Sequence, residues 1–282
     1  MIYEKISGFS DEISSDISTQ FNTLNRLGIN FFEPRGVDGK NISLLNDDEV
    51  QTLLKKMNKY NIKASSIGSP IGKIKVSDDF EQHFKLYKKI VDIAKKLGAS
   101  YIRIFSFYHD GQAWTNEERN VIFSRVGRMI DYAKKENVIL LHENEKDIYG
   151  DTAERCLDLM KNFYCDNFKA VFDPANFVQS GEDTKKAFEI MRPYIAYVHI
   201  KDAKFVDGSV VPAGFGDGNI EGILRNLFKN GFNGFLSLEP HLGSFGGLEN
   251  LEMGDLMMNL PKSGEDTFTL AYDALKSIIE RI

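Results

Sequence analysis

The sequence has little cysteine and no long apolar run. Its 282 residues contain two cysteines, Cys156 and Cys165, which are too few and too close together to form a disulfide framework. We therefore expect reduced thiols and a cytoplasmic protein. The longest aliphatic run covers only residues 138–141, and the amino terminus carries acidic residues early, so neither a membrane span nor a signal peptide is expected.

Positive charge is also in short supply. The chain has 35 Lys and Arg against 41 Asp and Glu, a formal net charge of −6, and no basic run long enough to follow a phosphate backbone. Nucleic acid is therefore not an expected partner. The composition is otherwise that of a globular protein, with 42% hydrophobic residues available for a large core.

One pattern recurs along the chain. An amphipathic helix is followed by a residue that tolerates the left-handed conformation and then by a short β-branched or aromatic run. The five residues that end these helices are Gly28, Asn61, Gly98, Asn137 and Gly231. The first three intervals are 33 residues (28 to 61), 37 (61 to 98) and 39 (98 to 137), which is the length of one strand-plus-helix unit.

Three further strand-like runs, at residues 6–9, 170–173 and 197–200, bring the number of strands to eight. This repetition predicts an α/β protein in which residues 1–282 form a single-domain (β/α)8 TIM barrel. An open doubly wound sheet is the alternative, but residues 8–12 (GFSDE) lack the glycine pattern that this fold requires after its first strand. Two connections, 205–218 and 240–265, are unusually long, and we expect the second to contain a short helix or a lid.

Four successive strand-like runs end in residues that can bind a metal: Glu143, Asp173, His199 and Glu239. Catalytic groups of parallel barrels lie at the carboxyl ends of the strands, and the two-residue period of a strand can direct all four side chains into the mouth. Three carboxylates meeting there need a counter-charge, because unpaired buried charges are poorly solvated. Taken singly, a strand-end Asp or Glu more often caps the next helix or pairs with a surface Lys. Together, they predict one divalent metal ion, with Mn²⁺ as the first choice and Zn²⁺, Mg²⁺ or Co²⁺ as alternatives.

The same segments resemble the metal-site motifs of the sugar phosphate isomerase/epimerase family, the xylose isomerase-like TIM barrels. The matching segments are Glu143-Asn144, Asp173-Pro174, the run from His199 to Asp202, and Glu239-Pro240, in family order over nearly the whole chain. The resemblance implies that Glu143, Asp173, His199 and Glu239 bind the metal, and that Glu143 and Glu239 are the catalytic acid/base pair.

The resemblance also implies the reaction. We expect a metal-dependent isomerase or epimerase of a sugar or sugar derivative, in which proton transfer passes through a metal-stabilised enediolate. One alternative is a metal-dependent dehydratase or lyase of a keto-polyol, similar to inosose dehydratase. A less favoured alternative is a hydrolase similar to endonuclease IV.

Two positions depart from the family pattern. Several members place a histidine three residues after the metal-binding aspartate, where this chain has Asn176. Ketose epimerases carry an arginine six residues after the metal-binding histidine, where this chain has Phe205. Both differences weaken an assignment as a ketose 3-epimerase, and the first also argues against the three-metal nuclease. Asn176 nevertheless remains a predicted substrate contact.

Other residues near the predicted mouth are candidates for substrate binding. They are His109 after the fourth strand, Lys201 and His241 after the seventh and eighth, and Arg35 and Lys73 after the second and third. For each, an exposed loop side chain is the competing interpretation. Asp202 is expected either to orient His199 through its second ring nitrogen or to cap the next element. Residues 214–218 (GFGDG) resemble a phosphate-binding loop only loosely. The expected partner is a small carbohydrate, and a homo-oligomer is possible.

Overall fold

The computed structural model describes residues 3–111, 113–242 and 263–282. The strands are β1 (Ile6–Gly8), β2 (Phe31–Phe32), β3 (Gly36–Val37), β4 (Lys40–Asn41), β5 (Lys63–Ala64), β6 (Ser66–Gly68), β7 (Tyr101–Ile104), β8 (Ile139–Glu143), β9 (Phe168–Phe172), β10 (Ile195–Ile200), β11 (Asp202–Ala203), β12 (Val210–Val211) and β13 (Phe235–Leu238). The α-helices are α1 (Ile17–Leu27), α2 (Asp47–Tyr60), α3 (Phe80–Leu97), α4 (Asn116–Glu136), α5 (Ala153–Phe163), α6 (Pro174–Gln179), α7 (Thr184–Met191), α8 (Ile220–Lys229) and α9 (Gly264–Arg281).

The strands close into a parallel barrel. Seven of them form one sheet in the order β1-β13-β10-β9-β8-β7-β6, and β2 pairs in parallel with β5. At the end of β2, the N–H of Glu33 donates to the carbonyl oxygen of Gly8 at 2.8 Å, and the carbonyl oxygen of Pro34 accepts from Gly68 at 3.0 Å. These bonds join β2 to the strands on both sides, with β5 and β6 acting as one strand of the barrel. The predicted (β/α)8 fold is confirmed.

The helix ends explain why the chain alternates so regularly. Gly28, Asn61, Gly98 and Asn137 all adopt the left-handed conformation directly after a helix, as predicted. The fifth helix of the pattern, α8, ends one residue earlier, at Lys229, with Asn230 as its cap, and Gly231 then takes a positive φ. Each reversal returns the chain to the barrel wall, so that the apolar face of every helix packs on the outside of the strands.

The barrel interior is small and changes from apolar to polar along its axis. Leu141, Val171 and Tyr197 form a buried cluster separate from the main core between helices and strands. They have the same strand parity as the predicted metal ligands, which confirms the predicted inward face. The polar side chains of the site lie directly above this cluster, at the carboxyl ends of the strands.

The two long connections have different outcomes. Residues 205–218 continue a β11–β12 hairpin in which Asp202 pairs with Val211. The short helix or lid expected in 240–265 falls on residues 243–262, which lie outside the described residues. Within the part of the chain that the structure describes, no helix is long and apolar enough to cross a membrane.

Candidate metal centre

The four predicted metal ligands converge at the mouth of the barrel. Glu143 ends β8, Asp173 directly follows β9, His199 lies near the end of β10, and Glu239 directly follows β13. One potential ligand atom from each side chain lies within 4.8 Å of those of the other three, and all four residues are buried. Four separate strands therefore build a single polar cluster.

Asp173 serves the cluster and the next helix at once. Its Oδ1 atom accepts the N–H of Asn176 at 2.9 Å and caps the amino end of α6, while Oδ2 points into the cluster. The side-chain amide of Asn144 binds both backbone polar groups of Asp173. Its Oδ1 atom accepts the N–H of Asp173, and its Nδ2 atom donates to the carbonyl oxygen of Asp173. Capping and metal binding are thus compatible roles of one carboxylate.

His199 and the two glutamates make the closest contacts. The Nδ1 atom of His199 lies 2.5 Å from Oε1 of Glu143 and 3.4 Å from Oε2 of Glu239. The second oxygen of Glu143 accepts from Arg103 at 2.7 Å, and the second oxygen of Glu239 accepts from Arg35 at 3.1 Å. Each glutamate therefore has one oxygen fixed by an arginine and one directed into the cluster.

The donor set fits a divalent cation. Oδ2 of Asp173 and Oε2 of Glu239 are buried and accept no hydrogen bond from the described residues. Lys201 supplies positive charge near both, with its Nζ atom at 3.2 Å and 3.5 Å. Buried carboxylate oxygens without donors are costly, and a cation held by three carboxylates and one imidazole would satisfy them. Oxygen and imidazole donors together suit Mn²⁺, Zn²⁺, Mg²⁺ or Co²⁺.

The electrostatic environment shifts the pKa values of the three carboxylates in different directions. Burial raises the pKa of Asp173 to about 7, against the lowering effect of Lys201. Burial also acts on Glu143, but His199 and Arg103 outweigh it and lower the pKa of that carboxyl to about 2. The pKa of Glu239 lies well below its ordinary value, because Lys201 and nearby histidines outweigh burial. Perturbed titration of this kind in a cleft is typical of functional sites.

An open pocket adjoins the cluster at Glu239 and is lined by residues of several loops. Four of the predicted substrate contacts share this lining: Arg35, Lys73, Lys201 and His241. Arg35 also binds Asp11 and Glu12, and Lys73 pairs with Glu145 at 3.0 Å. The structure thus brings these four side chains together, and their contact with a substrate stays a prediction.

Two predicted substrate contacts lie elsewhere. His109 packs edge-on against Trp114 with 5.2 Å between the ring centres and is not part of the pocket lining. Asn176 is buried in the first turn of α6, where its side-chain amide donates to the carbonyl oxygen of Asn144 at 2.9 Å. Neither side chain lines the pocket, and the contact of each with a substrate stays a prediction.

The role predicted for Asp202 in orienting His199 is also wrong. The Asp202 carboxylate is buried and accepts four backbone N–H groups, those of Ala203, Gly214, Gly216 and Gly218, at 2.8–3.1 Å. A Cβ atom at Gly216 or Gly218 would lie within 2.7 Å of Oδ1 of Asp202. The glycine-rich loop therefore binds an anion, as does the phosphate-binding loop that its sequence loosely resembles. The anion is the protein's own carboxylate, that of Asp202.

Sequence reasoning missed the contacts that two buried residues make with the predicted metal ligands. Arg103, in β7, binds Glu143 and stacks 4.5 Å from the ring of Phe105. Glu33, after β2, lies beside the Nε2 atom of His199 at 3.3 Å. A charged residue within or at the end of an otherwise buried strand was the available signal for both, since such residues are rarely buried without a partner.

The comparisons with known proteins define the family. The profile of the xylose isomerase-like TIM barrel family matches residues 21–255, and the chain belongs to this family. The resemblance that the metal-site motifs indicated is thereby confirmed.

Individual relatives are distant. A 3-dehydroshikimate dehydratase from Bacillus anthracis is 24% identical over 134 residues, and the match spans 48% of this chain and 48% of that protein, about half the length of each. The structure of the IOLI protein with a bound zinc atom has a TM-score of 0.78 at 16% identity, covering 98% of both chains. The structure of an L-ribulose 3-epimerase has a TM-score of 0.76 at 20% identity, covering 98% of this chain and 94% of that one. At these identities the two structures support the fold alone.

Proposed function

We propose that this protein is a divalent-metal-dependent isomerase or epimerase that moves a proton beside the carbonyl group of a sugar or sugar derivative. The observation that carries the proposal is the matched setting of Glu143 and Glu239. One oxygen of each is fixed by an arginine, Arg103 or Arg35, and the other faces the Nδ1 atom of His199. Such a pair is suited to acid/base work on two sides of one bound substrate.

The chemistry needs a base, an acid and a way to stabilise negative charge on the substrate oxygen. A bound divalent ion, held by Glu143, Asp173, His199 and Glu239, would supply Lewis-acid stabilisation of that oxygen. Glu143 and Glu239 are the acid/base pair in this proposal. Lys201, 3.5 Å from Glu239, adds a fixed positive charge beside the site of proton transfer.

The pocket lining favours a substrate with an anionic group. Six basic side chains line it, and the protein's own carboxylates pair with four of them, Arg35, Lys73, Arg103 and Lys201. The other two are Lys146 and His241. Burial disfavours the charged ring of His241, but Glu12 and Glu239 outweigh burial and raise its pKa to about 9. Basic groups converging on a pocket recognise carboxylate or phosphate. We therefore expect an acidic sugar derivative rather than a neutral hexose.

This lining gives specific support to the dehydratase alternative. A dehydratase shares the first proton removal and then expels a hydroxyl group, and one relative is a 3-dehydroshikimate dehydratase, whose substrate carries a carboxylate. The endonuclease IV-like hydrolase is disfavoured by Asn176, which occupies the position of a metal-binding histidine, and by the net charge of −6. We expect no cleavage of abasic-site DNA.

The cellular setting remains part of the proposal. Cys156 is buried with its thiol donating to the carbonyl oxygen of Gly150 at 3.1 Å, and Cys165 is also a free thiol. These thiols support a reducing compartment, the cytoplasm. A small carbohydrate is the proposed partner.

Proton NMR in D₂O tests the reaction class. Protein loaded with Mn²⁺ or Zn²⁺, with the metal removed by a chelator before spectra are recorded, is incubated with ketoses, keto-inositols, hydroxypyruvate and 3-dehydroshikimate. Deuterium incorporation without loss of water supports the isomerase or epimerase, and loss of a hydroxyl group identifies the dehydratase. Metal-loaded protein that catalyses neither reaction on any of these substrates would contradict the proposal.

A further inference from the structure

We infer that Glu33 is a positioning residue that fixes the ring of His199, so that Nδ1 faces the metal and Nε2 carries the proton. This inference rests on the proposed metal centre and adds a residue to it. Glu33 is 1% exposed and follows β2, on the side of the barrel away from the ligands' own strands.

Two hydroxyl donors and the ring of His199 converge on one oxygen of Glu33. Oε2 accepts from the hydroxyl of Tyr197 at 2.8 Å and from the hydroxyl of Ser237 at 2.8 Å, and lies 3.3 Å from Nε2 of His199. Tyr197 precedes His199 by two residues on β10, and Ser237 is its register partner on β13. The carboxylate is thus held by hydroxyls of β10, which carries the ring, and of the neighbouring strand β13.

The two ring nitrogens of His199 have different surroundings. Nδ1 faces Glu143 and Glu239 in the cluster, whereas Nε2 faces Glu33. A histidine binds a metal through the lone pair of one nitrogen, so its proton must reside on the other. A carboxylate beside Nε2 favours the Nε2–H tautomer and raises the basicity of Nδ1.

The rest of the network limits Glu33 to this role. Ser65 Oγ lies 2.9 Å from the hydroxyl oxygen of Tyr197 and 2.6 Å from Oγ of Ser7, which extends the hydrogen bonds below the carboxylate. The hydroxyls of Tyr197 and Ser237 hold Glu33 in place. Its position therefore does not depend on whether Nδ1 of His199 contacts a glutamate or a metal ion. A purely structural carboxylate would need only these hydroxyls and would leave the tautomer of His199 unaffected.

Nitrogen NMR of the wild-type protein tests the inference directly. In Zn²⁺-loaded protein with ¹⁵N-labelled histidine, the signals of His199, assigned by their loss in His199→Ala, should show a proton bonded to Nε2 and none on Nδ1. Coordination of zinc through Nε2 would overturn the inference while leaving the metal centre intact. Protein that binds no zinc would remove both the metal centre and this inference.

Two substitutions measure the contribution of Glu33. Removing the acceptor in Glu33→Leu should weaken Zn²⁺ binding about 10–100-fold in competition with a chromophoric chelator. Glu33→Gln keeps an acceptor oxygen and should preserve the Nε2–H tautomer, with a loss of affinity below about 10-fold. Glu189→Gln, a matched change in an exposed residue of α7, should leave Zn²⁺ affinity unchanged.

The outcomes are distinct. If Glu33→Leu does not fold, the inference is tested by the tautomer of His199 in Glu33→Gln and in the wild type. A proton on Nε2 in both proteins supports it. Unchanged zinc affinity in Glu33→Leu would overturn the inference. So would zinc affinities that are equal in the wild type and both variants, with the same His199 tautomer in all three proteins.

Discussion

The loop held by Asp202 gives the sharpest prediction about the architecture of the site. The carboxylate accepts two N–H groups on each oxygen, those of Ala203 and Gly218 on Oδ1 and those of Gly214 and Gly216 on Oδ2. In Asp202→Asn one oxygen becomes an NH₂ group, which cannot accept. The substitution therefore removes two hydrogen bonds and places donors against donors.

The magnitude follows from the type of bond. A hydrogen bond to a charged group contributes about 1.5–3 kcal/mol, so losing two destabilises the closed loop by about 3–6 kcal/mol. Part of this loss is recovered when the loop opens and water binds the freed N–H groups. We therefore expect the free energy of local opening of residues 203–218 to fall by about 3 kcal/mol. This corresponds to roughly 100-fold faster amide exchange.

Hydrogen exchange followed by mass spectrometry or NMR measures this effect. Peptides that contain Gly214, Gly216 and Gly218 should exchange much faster in Asp202→Asn, while peptides of β7 to β9 keep their protection. Asp207→Asn is the matched control, because Asp207 is exposed in the same loop and accepts one N–H, that of Ser209. Exchange in Asp202→Asn as slow as in the control would refute the assigned role of the carboxylate.

Three further predictions concern the site and the fold. Glu239→Gln should keep the fold but abolish exchange of the substrate α-hydrogen in D₂O, whereas the exposed Glu189→Gln should not; retained exchange would remove Glu239 from the mechanism. His199→Ala should lower the metal content of the purified protein, measured by elemental analysis, and unchanged content would contradict its assignment. Burial, assisted by Arg125, lowers the pKa of His83 to about 4, below its unfolded value, so its stabilising effect is present at neutral pH and is lost as the pH falls from about 6.5 to 4. Relative to His83→Gln in urea unfolding, the wild type should lose up to about 3 kcal/mol across that range, and parallel stability curves would contradict the effect.

Much of the fold was predictable because its determinants are local. Gly28, Asn61, Gly98 and Asn137 each end a helix through their own backbone preference, and this punctuation alone marks successive strand-and-helix units. The end of α8 was displaced by one residue because helix termini tolerate such shifts.

The convergence of the four predicted metal ligands was predictable for a related reason. Glu143, Asp173, His199 and Glu239 occupy equivalent places on four strands, and a parallel barrel gathers equivalent places at one mouth. The period of two within each strand then determines which side chains point inward. Nothing beyond strand order and parity was needed.

The partners of these ligands were less accessible. Glu33 reaches His199 because β2 lies across the barrel from β10, and that proximity depends on the stagger of the strands rather than on any short sequence pattern. Asp202 shows the opposite failure. It lies an odd number of residues after His199, so parity already placed it on the other face, where it organises the glycine-rich loop.

One measurement tests the metal centre most directly: an anomalous difference map from crystals of this protein grown with Mn²⁺ and measured near the manganese absorption edge. The account predicts a strong peak in bonding contact with Glu143, Asp173, Glu239 and the Nδ1 atom of His199. A map without a peak among these four side chains, or with the manganese bound elsewhere, would contradict it.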